Sequence, residues 1–400
     1  MKETVKYLVM VGDGMGDYPL ESLSGKTPLQ AARTPNMDFI ATRGRMGVVQ
    51  TIPEGKEPGS DIANLNIMGY DPALYHTGRA PLEAASMGIP LGDDDVAYRC
   101  NLVRLSFGPG DAIVMEDYAG GHISTQDANP LVKKLEERLS REDLHFYPGV
   151  SYRHSMVWTG GRLDLPSVPP HDKLGQRVDQ YLTDASFDRL NTLTRASWPL
   201  IDEYRKTNPD LAINSIWLWG QGKAPRLTLF KEKYGLTGGV ISAVDLLKGI
   251  GVCAGLKSIE VPGVTGYLDT NYDGKVEYTL ANLEMMDFIY LHVEAPDEAG
   301  HSGDVNLKVK AIEQFDSLVV GPLLEGMKRY PHFRLLLITD HYTPIPVRTH
   351  TSEPAPFVIF DSAEALKAKP KDVGFNEADA LKQGLVVDQA FTLMDRLVLA

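Results

Sequence analysis

Residues 287–301, DFIYLHVEAPDEAGH, join an apolar run of strand length to a segment that is dense in acids and ends in a histidine. The first seven, rich in aromatic and branched side chains, read as a buried β-strand. Just beyond them Asp297 and His301 stand four apart, a spacing that turns both side chains toward one side of a helical turn. The same grammar recurs twice. Residues 6–11 (KYLVMV) run into Gly12-Asp13-Gly14, and residues 334–339 (RLLLIT) run into Asp340-His341. Buried strands that each end in acids or histidines describe a parallel sheet whose carboxyl edge carries the chemistry. Between the last two, Val309, Ile312, Phe315, Val319 and Leu323 recur at helical spacing over residues 305–328, as a sheet-covering helix requires. Residues 211–219 and 238–243 add two short strand candidates, so the second half reads as an α/β alternation.

Residues 77–168 differ in character. Short apolar segments at 97–105, 112–115, 144–146 and 155–158 are split by turns such as Gly108-Pro109-Gly110 and Gly160-Gly161, with one amphipathic helix near 129–140. This reads as a smaller α+β domain, 77–168, inserted into a core domain made of 1–76 and 169–400, with the Pro-rich stretch 165–170 as the return linker. A chain of 400 residues exceeds the size at which one hydrophobic core stops growing, which agrees with two domains.

Bulk composition narrows the function. Forty Lys and Arg against 53 Asp and Glu give a net charge of -13, which disfavours nucleic acid and anionic membranes, and no basic cluster provides a local exception. An anionic ligand must then be met by metal ions or by deliberately placed Arg and Lys. The apolar run Tyr7 to Val11 is too short for a secretion signal, no stretch approaches a membrane span, and two cysteines, Cys100 and Cys253, provide no disulfide framework. A cytoplasmic protein is expected.

Each chemical residue has a bland reading when taken alone. Asp297 and His301 are compatible with a solvated helix face, Asp340 with a helix cap, and His341 with the surface. Ser60, in Glu57-Pro-Gly-Ser-Asp61, suits a helix N-cap, and as a nucleophile it needs a base or metal to lower its pKa. Asp13 lies between glycines, but a dinucleotide loop fits poorly because its carboxylate repels pyrophosphate. Taken together, three strand ends deliver Asp13, Asp297, His301, Asp340 and His341, and two loops deliver Ser60 and His350. Carboxylate oxygens and imidazole nitrogens in that number suit two divalent cations.

The motifs VGDGMGD (11–17), KTPLQAARTPNMD (26–38), PGSDIANLNIMGYDP (58–72), YRHSMVW (152–158), GQGKAPRL (220–227), HVEAPDEAGHSGD (292–304), TDHYTP (339–344) and HTSEPAPF (350–357) run in order across nearly the whole chain. In them the sequence resembles the cofactor-independent phosphoglycerate mutases of the archaeal type, in the alkaline phosphatase superfamily. The resemblance implies an alkaline-phosphatase-like α/β fold, a mostly parallel sheet with helices on both faces plus the inserted domain. It implies interconversion of 3-phosphoglycerate and 2-phosphoglycerate through phosphorylated Ser60, without bisphosphoglycerate. One metal is then held by Asp13, Ser60, Asp340 and His341 and the other by Asp297, His301 and His350, with manganese or zinc ahead of magnesium or cobalt. The resemblance further implies that His122, Arg153, His154 and Lys223 grip the substrate, and either His122 or His154 shuttles the proton. Rival readings are a metal phosphatase, a mutase of another phosphorylated metabolite, or an inactive binding protein on the same fold. The oligomeric state is left open.

Overall fold

The computed structural model describes residues 5–165, 168–183, 188–365 and 367–399. Its strands, in chain order, are β1 (Lys6–Gly12), β2 (Arg45–Val49), β3 (Asp95–Phe107), β4 (Ile113–Asp117), β5 (Leu144–Val150), β6 (Arg153–Thr159) and β7 (Ser215–Gly222). They continue with β8 (Gly238–Ile241), β9 (Lys257–Ser258), β10 (Phe288–Val293), β11 (Phe333–Thr339), β12 (Ala355–Asp361) and β13 (Val386–Val387). The chain divides into two compact units, Met1–His76 with Arg226–Ala400, and Thr77–Pro225.

In the larger unit the sheet order is β13-β2-β12-β11-β1-β10-β8-β9. Its centre, β11-β1-β10, is parallel, and β12 runs antiparallel to both β11 and β2, so the sheet is mixed. Strands buried on both faces must be apolar throughout, which explains the unbroken runs read from the sequence. Leu8, Met10, Ile289, Leu291, Leu335 and Leu337 share one core cluster with Met37, Ile40, Leu283, Ile312, Phe315 and Val319 from helical segments. The alternate residues Val9, Val11, Tyr290, Leu336 and Ile338 are equally buried on the opposite face. Tyr290 there meets Asn64 of the helix Ser60–Ile67. The expected covering helix forms as Val305–Gln314 and Gly321–Met327, joined through a π-helical segment, Phe315–Val320.

The smaller unit is built on β3, whose thirteen residues pair antiparallel with β4, β6 and β7. Its helix Thr125–Leu139 buries Leu131, Val132 and Leu135 beside Leu190 and Ile201 of the helix Asp188–Arg205. The described residues of 169–225, expected to rejoin the core domain, therefore fold with the insert. The strand candidate at 211–219 becomes β7 on this sheet, because its partner is β3 and not a strand of the larger unit. Within the proposed linker 165–170, Pro166 and Ser167 lie outside the described residues. Among the described residues no helix is long and apolar enough to cross a membrane.

Candidate metal centre

The register of the central strands places the site. Gly12 pairs with Val293 on one side and Thr339 on the other, so Asp13, Glu294 and Asp340 leave the sheet at one level. Beyond β10 the helix Ala295–Ser302, with Pro296 in its first turn, sets Asp297 and His301 one turn apart. His301 Nε2 lies 3.2 Å from Asp297 Oδ2 and 3.0 Å from His350 Nε2, and His350 Nε2 lies 3.6 Å from Asp297 Oδ1. The second group gathers around His341, whose Nε2 is 3.3 Å from Asp13 Oδ1, 3.6 Å from Asp340 Oδ2 and 3.1 Å from Ser60 Oγ. Ser60 is not the helix cap: Gly59 holds that position, and Ser60 opens the helix with its hydroxyl turned to His341. The seven residues expected to hold metal thus come together in the larger unit.

Backbone and side-chain partners fix these groups in place. Asp340 Oδ1 accepts from Gly14 N at 3.1 Å and from His341 N at 3.0 Å, while Asn64 Nδ2 donates to its Oδ2 at 2.7 Å. Gly14 has φ +59°, and a Cβ there would stand 2.6 Å from Asp297 Oδ1 and 2.9 Å from Asp297 Cα. Only glycine lets the chain pass this close to the carboxylate. Asn64 also donates to Ser60 O at 2.9 Å and accepts from Tyr290 Oη at 2.6 Å, so one buried amide ties the helix that Ser60 opens to Asp340 and to β10. Thr343 Oγ1 donates to Asp297 Oδ1. Fully buried His292, at the end of β10, lies with Nε2 3.0 Å from Asp13 Oδ2.

The electrostatics of this cluster call for added positive charge. Burial, then the neighbouring Asp340, Asp297 and Glu294, hold the Asp13 carboxyl well above the usual carboxylate range. Burial also works against ionised Asp297, but hydrogen bonds and charge from His301 and His350 outweigh it and hold that carboxyl well below the ordinary range. Burial depresses both His292, to about 4, and His341, keeping these rings neutral as metal ligation requires. Asp13 Oδ1 and His292 Nε2 are buried without a hydrogen-bond partner. Donors that share an ion at about 2.0–2.2 Å in tetrahedral geometry stand about 3.3 Å apart. The nitrogen–oxygen separations of 3.0 to 3.6 Å across this cluster match that spacing. The donor set fits divalent cations.

The other expected site residues lie in the smaller unit and do not form one cluster. His122, exposed and at φ 53°, stacks edge-on against Tyr152, over whose ring the exposed Arg153 guanidinium also sits at 5.5 Å. His154 turns the other way. It is 1% exposed, its Nδ1 accepts from Gly149 N at 2.9 Å, and burial followed by the charge of Arg99 pushes its pKa down to about 3. Strand pairing sets Arg153 beside Asn101 and Gly222 beside Ala97. Lys223 therefore departs four residues along β3 from Arg153, about 13 Å by strand rise. Its Nζ donates to Asp93 O at 2.9 Å. Arg79 and Arg99 share Glu83 Oε1, at 3.0 and 2.7 Å, and both guanidinium groups lie over Trp219.

A sequence profile of the family described as 2,3-bisphosphoglycerate-independent phosphoglycerate mutase matches residues 41–205. A Methanosarcina barkeri protein described as a 2,3-bisphosphoglycerate-independent phosphoglycerate mutase is 46% identical over 99% of this chain and 100% of its own. The chain belongs to this family. A Geobacter sulfurreducens protein described as a probable mutase of the same kind is 51% identical over 98% of this chain and 100% of its own length. Among solved structures, the PH0037 protein from Pyrococcus horikoshii superposes with a TM-score of 0.80 at 26% identity, covering 99% of this chain and 97% of that one. In this member of the phosphoglycerate mutase family, sequence reasoning missed His292, Asn64 and Lys308. A histidine within an otherwise apolar strand was a usable signal for the first; Asn64 and Lys308 carry none, because their partners are remote in sequence.

Proposed function

We propose that this protein interconverts 3-phosphoglycerate and 2-phosphoglycerate, without bisphosphoglycerate, through phosphorylated Ser60. One observation carries the reading: Ser60 Oγ opens a helix 3.1 Å from His341 Nε2, inside a ring of carboxylates and imidazoles spaced for shared cations. Asp13, Ser60, Asp340 and His341 would hold one cation and Asp297, His301 and His350 the other. The imidazole donors favour zinc, and the carboxylates beside them also suit manganese. Bound there, divalent cations would lower the pKa of the seryl hydroxyl and neutralise phosphoryl oxygens.

The chain's own groups supply the rest. His341 Nε2, 3.1 Å from Ser60 Oγ, would share the cation with that oxygen and so hold it in position toward phosphorus. Attack forms the Ser60 O–P bond and breaks the substrate's own O–P bond; the Ser60 proton leaves to solvent as the alkoxide forms, the departing glycerate oxygen takes a proton from the shuttle group, and the N-terminus of the helix Ser60–Ile67 favours the new dianion. The released glycerate then takes the phosphoryl group back on its other hydroxyl. Arg153 suits its carboxylate as a planar fork, whereas Lys223 would act as a point charge on the same substrate only after leaving Asp93 O. We assign the proton shuttle to His122, since His154 is buried with its Nδ1 already engaged. The test is a coupled assay in both directions without bisphosphoglycerate, with phosphate release measured in parallel. Wild type should isomerise without releasing phosphate, and Ser60→Ala should lose the reaction while keeping its circular dichroism. Steady phosphate release in place of isomerisation would replace the mutase by a phosphatase.

A further inference from the structure

We propose that His292, through Nε2, is a further ligand of the cation held by Asp13 and Asp340. The inference rests on the two-cation reading of the site and adds a residue to it. Ligand atoms of Asp13, His292 and Asp340 all lie within 4.8 Å of one another, and all three residues are buried. His292 and His341 approach different oxygens of the Asp13 carboxylate: Oδ2 is 3.0 Å from His292 and Oδ1 is 3.3 Å from His341.

A hydrogen bond does not account for that contact. At 3.0 Å the separation suits one, yet His292 Nε2 has no hydrogen-bond partner, so Asp13 Oδ2 lies off the axis of the ring nitrogen. Two ligands of one ion are arranged in this way, because the ion occupies the nitrogen's axis and the second ligand stands to the side. The far side of the ring agrees. His292 Nδ1 lies 3.2 Å from Ser242 Oγ, which also accepts from Val244 N at 2.9 Å. A hydroxyl oxygen has two acceptor positions, so Ser242 can take both N–H groups, the tautomer that leaves Nε2 with a lone pair. Metal-ligating histidines are held in this manner, by a donated bond from the other nitrogen. The backbone is fixed too, since the buried Lys275 ammonium donates to His292 O at 2.8 Å. A histidine carried out of water at a strand end, with Ser242 against one ring nitrogen and the other nitrogen close to the carboxylates of Asp13 and Asp340, has the properties of a ligand.

Cadmium-113 with nitrogen-15-labelled histidine tests this directly. The wild-type protein loaded with two cadmium equivalents should show four imidazole nitrogens with one-bond coupling to cadmium, from His292, His301, His341 and His350. His292→Gln, which preserves approximate volume and a hydrogen-bonding end, should lose one coupling and keep three. A ring that merely orients Asp13 would also weaken binding, by roughly 10–100-fold on removal, but it would show no coupling. Three couplings in wild type, all retained in His292→Gln, therefore overturn the proposal and leave the two-cation reading standing. A wild-type protein that takes up no cadmium overturns both.

Discussion

Lys308 offers the sharpest test of how the centre is held. Its ammonium is fully buried and spends its three donors on Asp17 Oδ2 at 2.8 Å, Gly16 O at 3.0 Å and Thr343 O at 2.8 Å. It thereby staples the loop after β1, which carries Asp13, to the loop after β11, which carries His341. Asp17 is equally buried and also accepts from Ile345 N, at 3.2 and 3.1 Å. Lys308→Met keeps most of the volume but leaves a carboxylate in the interior without its counter-charge. Breaking a buried pair from one side costs about 3–5 kcal/mol, which is roughly 150–5000-fold in an equilibrium constant. Hydrogen–deuterium exchange of the β1 amides is the appropriate assay, because the four tryptophans, Trp158, Trp198, Trp217 and Trp219, all lie in the smaller unit and their fluorescence reports on that unit. Exchange in the slowest β1 amides should accelerate by that factor. Asp17→Asn combined with Lys308→Met removes the stranded charge and should recover at least tenfold of the loss. An acceleration below tenfold in the single variant, or a double variant no more protected than the single, would refute the reasoning.

Asn64→Ala removes a hydrogen bond to the Asp340 carboxylate worth about 1.5–3 kcal/mol, so kcat should fall roughly 10–150-fold. Tyr290→Phe removes only a neutral bond to Asn64 and should cost roughly 2–10-fold; equal losses in the two variants would contradict the assigned order. Asp297→Asn should reduce bound metal from two equivalents to one, read by elemental analysis, and unchanged content would remove Asp297 from the ligand set. Although burial lowers it, Asp297 lifts the His301 ring to about 9. Below that pH the ring is protonated and must release its proton to bind metal, so affinity at this position is lost as pH falls, about tenfold per unit, and levels off above pH 9. Calorimetry at pH 7 in buffers of different ionisation enthalpy should therefore detect at least one released proton per protein, and buffer-independent heats would contradict it.

What the sequence determined by itself follows from local rules. Strands β1, β10 and β11 are legible because a strand buried on both faces must be apolar along its whole length, and Asp13, Asp297, His301, Asp340 and His341 stand out because acids and histidines follow such runs closely. The helix Val305–Gln314 is legible by period, but Lys308 within it reads as one more solvated charge. Its partners Gly16 and Asp17 lie 292 and 291 residues away. Tertiary structure alone brings them together, and the same holds for Asn64, which meets Tyr290 across 226 residues. The end of the smaller unit was decided at this level as well, since a short apolar run such as β7 pairs equally well with either sheet until β3 offers the complementary edge. So was the distinction between the two histidines of the smaller unit: both look alike in sequence, and only packing buries His154 and leaves His122 in water. Periodicity is a property of neighbours along the chain, whereas burial, tautomer and charge pairing belong to neighbours in space.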